Sequence, residues 1–143
     1  MGQIQLFCDT VEISQAVGPD IVDITALLEA SLKRSGIALG TLSAFVPGST
    51  GSLTTIEFEP GVVEDLKAAI SRLAPQNMKY AHDRAWQDGN GHSHVQAALL
   101  GPGISVPVRD HALVLGTWQQ MVAINHDNRP RRRVIEVTII GVG

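Results

Sequence analysis

The chain has 143 residues, of which 44% are hydrophobic and 17% are charged, and this suits one domain with one core. Its formal net charge of -3 and aromatic content of 4% argue against nucleic-acid binding, which needs a basic field and stacking platforms. The single cysteine cannot form an intrachain disulfide, and the chain has neither a leader-like segment nor an apolar run of about 20 residues. We therefore expect a cytoplasmic protein without a membrane partner.

Alternation and capping signals predict the first three elements of the chain. QIQLFCD and the following VEISQAV alternate polar and apolar residues, which predicts two strands and an antiparallel start. A helix follows in DITALLEASLKRSG, where Asp23 or Thr25 can cap the first turn and Gly36 ends the last. GIALGTLSAFVP is uncharged and rich in small and branched residues, so we expect a buried, central strand that ends at Pro47.

The remaining signals predict one more helix and several strands. After the loop GSTGS, LTTIEFE alternates again and predicts a strand with Glu57 at its end. PGVVEDLKAAISRLAP predicts a second helix, with Pro60 as its first residue and Pro75 as its terminator. From KYAHDRAWQDGNG onward the pattern predicts turns and short strands, namely HVQAALLG, ISVPV, ALVLG, MVAIN and RRVIEVTIIG. The predicted fold is a single α+β domain over residues 1–143, with two helices packed on a largely antiparallel or mixed β-sheet.

The segment DGNGHSHV contains the main candidate for a metal site. If it is extended, His92 and His94 project from one face of a strand, about 6 to 7 Å apart, and both imidazoles can reach one ion. His82 is the expected third ligand, because catalytic zinc commonly has three protein ligands and an open position. Asp88 is an alternative ligand or an acceptor behind the histidines. His-x-His also occurs by chance, and DGNG can be a simple tight turn.

Two further segments carry groups that can bind an anion or move a proton. PGSTGS exposes backbone N–H groups and the hydroxyls of Ser49 and Thr50, but it lacks the lysine of a Walker motif and can be just a loop. Glu57 is a general base or a metal ligand if the sheet places it near the histidines, and an exposed strand residue otherwise.

The C-terminal segments RPRRR and LGTWQQ add cationic and aromatic groups. Arg131 and Arg133 are predicted to share one face of the last strand, where guanidinium groups suit phosphate, although a solvated or intersubunit ion-pair patch is an alternative. Trp118 follows an apolar strand, and we expect its indole to pack under the loop or against a partner chain.

In this order and at these separations, FVPGSTGSLTTIE, DGNGHSHVQAALLGPGISVPV, LVLGTWQQ and RPRRRVIEV resemble the YjbQ-like family over about residues 37–140. That family is associated with a secondary thiamine-phosphate synthase activity, has a similar α+β fold and usually forms trimers. The resemblance implies a polar pocket near a subunit boundary, in which a metal ion binds, lined by His82, Asp88, His92, His94 and Glu57. The chain departs from the pattern at Gly48, where many relatives carry histidine. It departs again at Gln96 and Ala98, where many carry a basic residue and a serine, and Arg131 to Arg133 are candidates to compensate.

These features together predict a metal-dependent enzyme that acts on a small phosphorylated substrate. A divalent ion, with zinc as one candidate, is held by His82, His92 and His94, while Glu57 or Asp88 handles a proton. The residues predicted to bind substrate are Ser49, Thr50, Asn90, Arg131 and Arg133. The alternatives are a protein that binds a phosphorylated metabolite without turnover and a structural oligomer. A homotrimer is the expected assembly.

Overall fold

Two antiparallel sheets form the frame of the molecule, for which the computed structural model describes residues 2–143. The eight strands are β1 Gln5–Gln15, β2 Asp20–Asp23, β3 Leu39–Phe45, β4 Gly51–Glu57, β5 Gly103–Arg109, β6 Ala112–Leu113, β7 Gln119–Asn125 and β8 Arg131–Val142. The larger sheet has the order β1-β8-β3-β5-β6, and the smaller has the order β2-β7-β4. Every paired strand is antiparallel, so the predicted α+β class with largely antiparallel pairing is confirmed.

The four helices are α1 Thr25–Ser35, α2 Pro60–Leu73, α3 Ala81–Trp86 and α4 Gly91–Leu100. The first two match the predicted positions, but the N-cap of α1 is Ile24, which forms no side-chain cap hydrogen bond, and not the predicted Asp23 or Thr25. Gly36 takes a left-handed conformation with φ +70° after α1, and Pro60 opens α2. The prediction of turns and strands for α3 and α4 was wrong. Within residues 2–143, no helix combines the length and the apolarity that crossing a bilayer requires.

The N-terminal segment forms one strand, not the predicted two. QIQLFCD and VEISQAV contribute to an unbroken β1 of 11 residues, which pairs with β8 along its whole length. Both segments keep the same alternation of buried and exposed residues, and therefore nothing in the pattern separates a long strand from two short ones. The predicted central position of β3 is confirmed, because β3 lies between β8 and β5.

Two hydrophobic cores lie on either side of the smaller sheet. The core between the sheets includes Leu28 and Leu32 of α1, and the core under α2 joins Ile70 to Ile124 of β7. Strand β7 is thus covered on both faces, and its residues 121–125 are all buried. This double coverage explains why MVAIN is an apolar run without alternation. The same coverage brings the loops at the end of β7 against α4, where the candidate site lies.

Candidate metal and anion site

The segment that carries the His-x-His pattern is a helix, and the prediction of an extended strand was wrong. Helix α4 covers Gly91–Leu100, GHSHVQAALL, and ends at Gly101 before Pro102. Gln, Ala and Leu in its second half are strong helix formers, and the Gly-Pro pair is a stop signal. On a helix, residues two apart are rotated by about 200°. His92 and His94 therefore point to opposite faces and do not form the predicted pair.

His92 points into the protein. It is buried, its ring centroid lies 6.5 Å from that of Tyr80, and its Nε2 lies 3.3 Å from Ser93 Oγ. Burial lowers the pKa of His92 below its ordinary value, which favours the neutral ring. His92 thus packs beneath the site as a neutral side chain and does not join the cluster on the outer face of α4.

The structure brings His82, Asp88 and His94 together in place of the predicted three histidines. One ring nitrogen of each histidine and one carboxylate oxygen all lie within 4.8 Å of one another. The ring centroids of His82 and His94 are 4.6 Å apart, and His82 Nδ1 lies 3.3 Å from Asp88 Oδ1. The cluster combines the first turn of α3, the loop that follows this helix and the first turn of α4.

The hydrogen bond of His94 fixes which of its nitrogens is free. His94 Nδ1 lies 3.1 Å from the carbonyl oxygen of Ser49, an atom that can only accept, so Nδ1 carries the proton. Nε2 therefore presents a lone pair. A histidine that donates one ring N–H to a backbone carbonyl and offers the other nitrogen is typical of a metal ligand.

Two imidazoles and a carboxylate form a donor set that fits a divalent ion. Ligand atoms around a tetrahedral zinc ion lie about 3.4 Å apart, so separations of up to 4.8 Å need to close by no more than about 1.4 Å. Three protein ligands also leave one position open for water or substrate. The same donors accommodate other first-row divalent metals.

A cleft beside His94 is lined by a loop that packs on a buried guanidinium group. The cleft has a volume of about 180 Å³ and is lined by Gly48, Ser49, Gly51, His94, Ala97, Ala98 and Pro102. Arg133 lies behind the loop, because a Cβ on Gly51 would come within 2.9 Å of its Cζ and one on Gly48 within 3.6 Å of its Nη1. Glycine at position 51 is what lets the loop approach the guanidinium so closely, whereas at Gly48 it is the φ of +111° that favours glycine.

Arg133 is buried without a carboxylate partner. Its two hydrogen bonds both use Nη2, to Thr50 Oγ1 at 2.8 Å and Asn125 Oδ1 at 2.6 Å, and its Nε has no partner within residues 2–143. Arg131 instead pairs with Asp127, at 2.9 Å from Nη1 to Oδ2. Burial and the charge of Arg131 lower the pKa of Arg133, and the charge of Asp127 offsets this effect only in part. A positive charge left unpaired beneath a glycine-containing loop favours an anion in the cleft.

Asp127, which was not predicted from the sequence, forms hydrogen bonds with residues from the loop before α4, the loop before β4 and strand β8. Its buried carboxylate accepts hydrogen bonds from Asn90 Nδ2 at 3.0 Å, Thr50 Oγ1 at 3.0 Å and Arg131 Nη1 at 2.9 Å. Burial alone raises the pKa of Asp127, but these donors together lower it below the ordinary value, so the group stays ionised. Asn90 and Thr50 thus already have partners within the chain, and among the predicted substrate-binding hydroxyls only that of Ser49 is exposed.

A second buried chain of hydrogen bonds holds α4 against β4 and β7. His126 Nδ1 lies 2.9 Å from Gln96 Oε1, and its Nε2 lies 2.7 Å from Ser52 Oγ. Gln96 Nε2 donates to Ala74 O, so its oxygen faces His126 and places the proton on Nδ1. The polar run NHDN at the end of the apolar strand MVAIN is the sequence signal that identifies His126 and Asp127, because polar residues there follow a buried strand.

Two predicted residues lie away from this site. Glu57 ends β4, six residues beyond Gly51, and six residues of strand span about 20 Å. It is exposed, so the expectation that the sheet brings it near the histidines was wrong. Trp118 is 74% exposed, and its predicted packing under the loop was also wrong, since the loop turns the indole outward.

Known proteins similar to this chain share one family. The model for "UPF0047 protein YjbQ-like" matches residues 9–142. An Archaeoglobus fulgidus UPF0047 protein is 37% identical over 81% of this chain and 88% of its own, and Bacillus subtilis YugU is 29% identical over 92% and 98%. A solved YbjQ-like protein of unknown function from Sulfolobus solfataricus has a TM-score of 0.91 at 32% identity, covering 97% of this chain and 99% of its own.

Proposed function

This chain belongs to the YjbQ-like UPF0047 family, and from that premise we propose a metal-dependent enzyme that acts on a small phosphorylated substrate. The observation that carries the proposal is the position of His94 between the candidate metal ligands and the cleft. Its Nδ1 is committed to the carbonyl of Ser49, and one of its ring nitrogens lies within 4.8 Å of ligand atoms of His82 and Asp88, beside the cleft whose loop packs on Arg133. One side chain therefore joins a metal-ligand set to an anion cleft.

His82, Asp88 and His94 are the residues that would hold the ion. A divalent ion in this donor set supplies Lewis acidity toward a phosphoryl oxygen or a bound water. Asp88 is held in place because its Oδ1 accepts from the backbone N–H of Asn90 at 3.1 Å. His82 is held by Asp83 and Asp88, whose carboxylate oxygens lie 3.5 and 3.3 Å from its Nδ1. These contacts keep the three ligands oriented before substrate arrives.

The anion-binding part of the proposed site is formed by Ser49, Gly51 and Arg133. The cleft of about 180 Å³ is several times the roughly 30 Å³ of a water molecule, which suits a phosphoryl group and the start of its ester. Arg133 supplies a fixed positive charge from behind the loop, and Arg131 is largely neutralised by Asp127. If the family activity applies to this chain, these groups would bind the pyrophosphate that departs when thiamine phosphate forms.

The positions of the two residues predicted to handle a proton, Glu57 and Asp88, favour a second candidate function. Glu57 lies about 20 Å along β4 from the cleft, and Asp88 belongs to the ligand set. A cation site beside an anion cleft also fits a protein that binds a phosphorylated metabolite without turnover.

Matched substitutions two residues apart test the metal site. In protein purified without a metal-affinity tag, His94→Gln should weaken binding of zinc or cobalt by more than about a hundredfold, because even outer partners of ligands contribute 10- to 100-fold. His92→Gln, on the opposite face of α4, should change metal affinity by less than about threefold. Equal losses in both variants, or no stoichiometric ion in the wild-type protein, would contradict the site.

Anion binding and catalysis are tested by separate measurements. Pyrophosphate should raise the melting temperature of the wild-type protein, and Arg133→Lys should weaken its binding by about tenfold while leaving metal affinity unchanged. Product released from phosphorylated substrates by the metal-loaded protein, and lost in His94→Gln, supports the enzyme. Pyrophosphate stabilisation without any product at high protein concentration supports the binding protein.

A further inference from the structure

An aromatic-walled cavity lies at the far end of β4, away from the metal and anion site. It has a volume of about 410 Å³ and is lined chiefly by Glu57, Phe58, Glu59 and Trp118, with Pro60 and Gln120 at its edge. This volume is within the range of pockets that hold small molecules. The lining contains two carboxylates and two aromatic rings but no lysine, arginine or histidine.

The loop before β7 is built to hold Trp118 outward. The backbone N–H of Gly116 donates to Gln119 Oε1 at 3.0 Å, and the N–H of Gln119 donates to Gly116 O at 3.0 Å. Gln119 Nε2 also donates to Thr55 Oγ1 of β4 at 3.1 Å. The turn is thus closed on itself and fastened to the neighbouring strand. Trp118 remains 74% exposed in this ordered turn, although an indole normally gains by burial.

The two carboxylates of the cavity have different roles. Glu59 accepts hydrogen bonds from the backbone N–H groups of Gly61 and Val62, both at 2.9 Å, so it serves as the N-cap of α2. Glu57 forms no ion pair and no side-chain hydrogen bond within residues 2–143. Its negative charge is therefore available to a ligand, at the rim of a cavity whose walls are the rings of Phe58 and Trp118.

We infer that this cavity binds an organic cation, of the alkylated ammonium class, between Trp118 and Phe58 and against the carboxylate of Glu57. Aromatic faces attract cations whose charge is spread over apolar groups, and a nearby carboxylate adds to that attraction. Anionic ligands are disfavoured by the two glutamates. A bare metal ion is disfavoured because the aromatic walls offer it no ligands and Glu59 is already engaged. The inference is independent of the function proposed for the histidine cluster.

Fluorescence of Trp118 tests the cation site directly. Trp86 is the only other tryptophan, so Trp86→Phe leaves a single indole reporter. In that background, choline should give a saturable change in emission with millimolar affinity. Its uncharged isostere 3,3-dimethylbutan-1-ol should bind at least about fivefold more weakly. Sodium chloride at matching ionic strength provides the screening control.

Two charge substitutions separate a local effect from a general one. Glu57→Gln should weaken choline binding by at least about fivefold, whereas Glu64→Gln, an exposed charge on α2 outside the cavity, should leave it unchanged. Both residues are exposed, so both variants should fold. Equal responses to choline and its uncharged isostere, or no saturation at all, would overturn the inference. N-acetyl-trimethyllysine and a trimethyllysine peptide then distinguish a free cation from a protein side chain as its source.

Discussion

His126 should cause the folded chain to lose stability between about pH 6.5 and pH 4, because it is buried in its neutral form. Its side chain is 1% exposed, and burial, with the charges of Arg133 and His92, lowers its pKa to about 4. In the unfolded chain the imidazole titrates near 6.5. Above pH 6.5 its contribution is fully present. As the pH falls toward 4 the unfolded state binds a proton that the folded state does not, so acid favours unfolding.

The size of this effect follows from the two pKa values. Between pH 7.5 and pH 4.5 the linkage relation gives a loss of about 2–3 kcal/mol in the free energy of unfolding, most of it below pH 6. That is a large share of a typical total of roughly 5–15 kcal/mol. His126 Nδ1 donates its hydrogen to Gln96 Oε1, and Ser52 donates to Nε2, which is the nitrogen that acid would protonate.

Urea denaturation of the wild-type protein and of His126→Gln at a series of pH values measures this loss in the free energy of unfolding. Far-UV circular dichroism is the suitable signal, since Trp86 and Trp118 are 72% and 74% exposed and report poorly on the core. The variant should be the less stable protein at pH 7.5, and the difference in the free energy of unfolding should shrink by about 2–3 kcal/mol by pH 4.5. The other histidines are common to both proteins and largely cancel. A difference that stays constant with pH would refute the neutral, buried assignment.

Three further substitutions probe the loop, the buried carboxylate and the N-terminal strand. Gly51→Ala should lower the free energy of unfolding by about 1–3 kcal/mol, because its Cβ would lie 2.9 Å from Arg133. Gly36→Ala is the control: it has open space around it, so it should show only the conformational cost of about 1 kcal/mol. Asp127→Asn should destabilise by about 2–4 kcal/mol in the same urea assay, since it leaves buried donors without their charged acceptor. The hydroxyl of Ser31 and Arg34 lower the pKa of Asp9 to about 2, so the stabilisation from Asp9 is present above about pH 4 and is lost toward pH 2. Asp9→Asn should therefore reduce the dependence of the free energy of unfolding on pH in this acid range.

Several helices and strands could be predicted because residues that are close in the sequence all indicate the same element. Helix α2 has Pro60 at its start, apolar residues at helical spacing and Pro75 just beyond its end, and the structure has it at Pro60–Leu73. Helix α4 was missed because its first turn, GHSH, contains poor helix formers beside a turn motif, while its partners lie far away in sequence. Gln96, for example, is fixed by His126, 30 residues later. Local propensity is a weak guide where such contacts decide.

The sequence by itself determined the family, the α+β class and most of the residue types that the candidate site uses. Only the tertiary structure decided which of them meet: the helical form of α4 turns His92 inward and leaves His94 beside His82, and Asp88 takes the third place. It also placed Arg133 behind the loop through a contact with Thr50, 83 residues away. The physical reason is that side-chain direction depends on the backbone period, and long-range contacts depend on how sheets and helices pack, neither of which a short motif records.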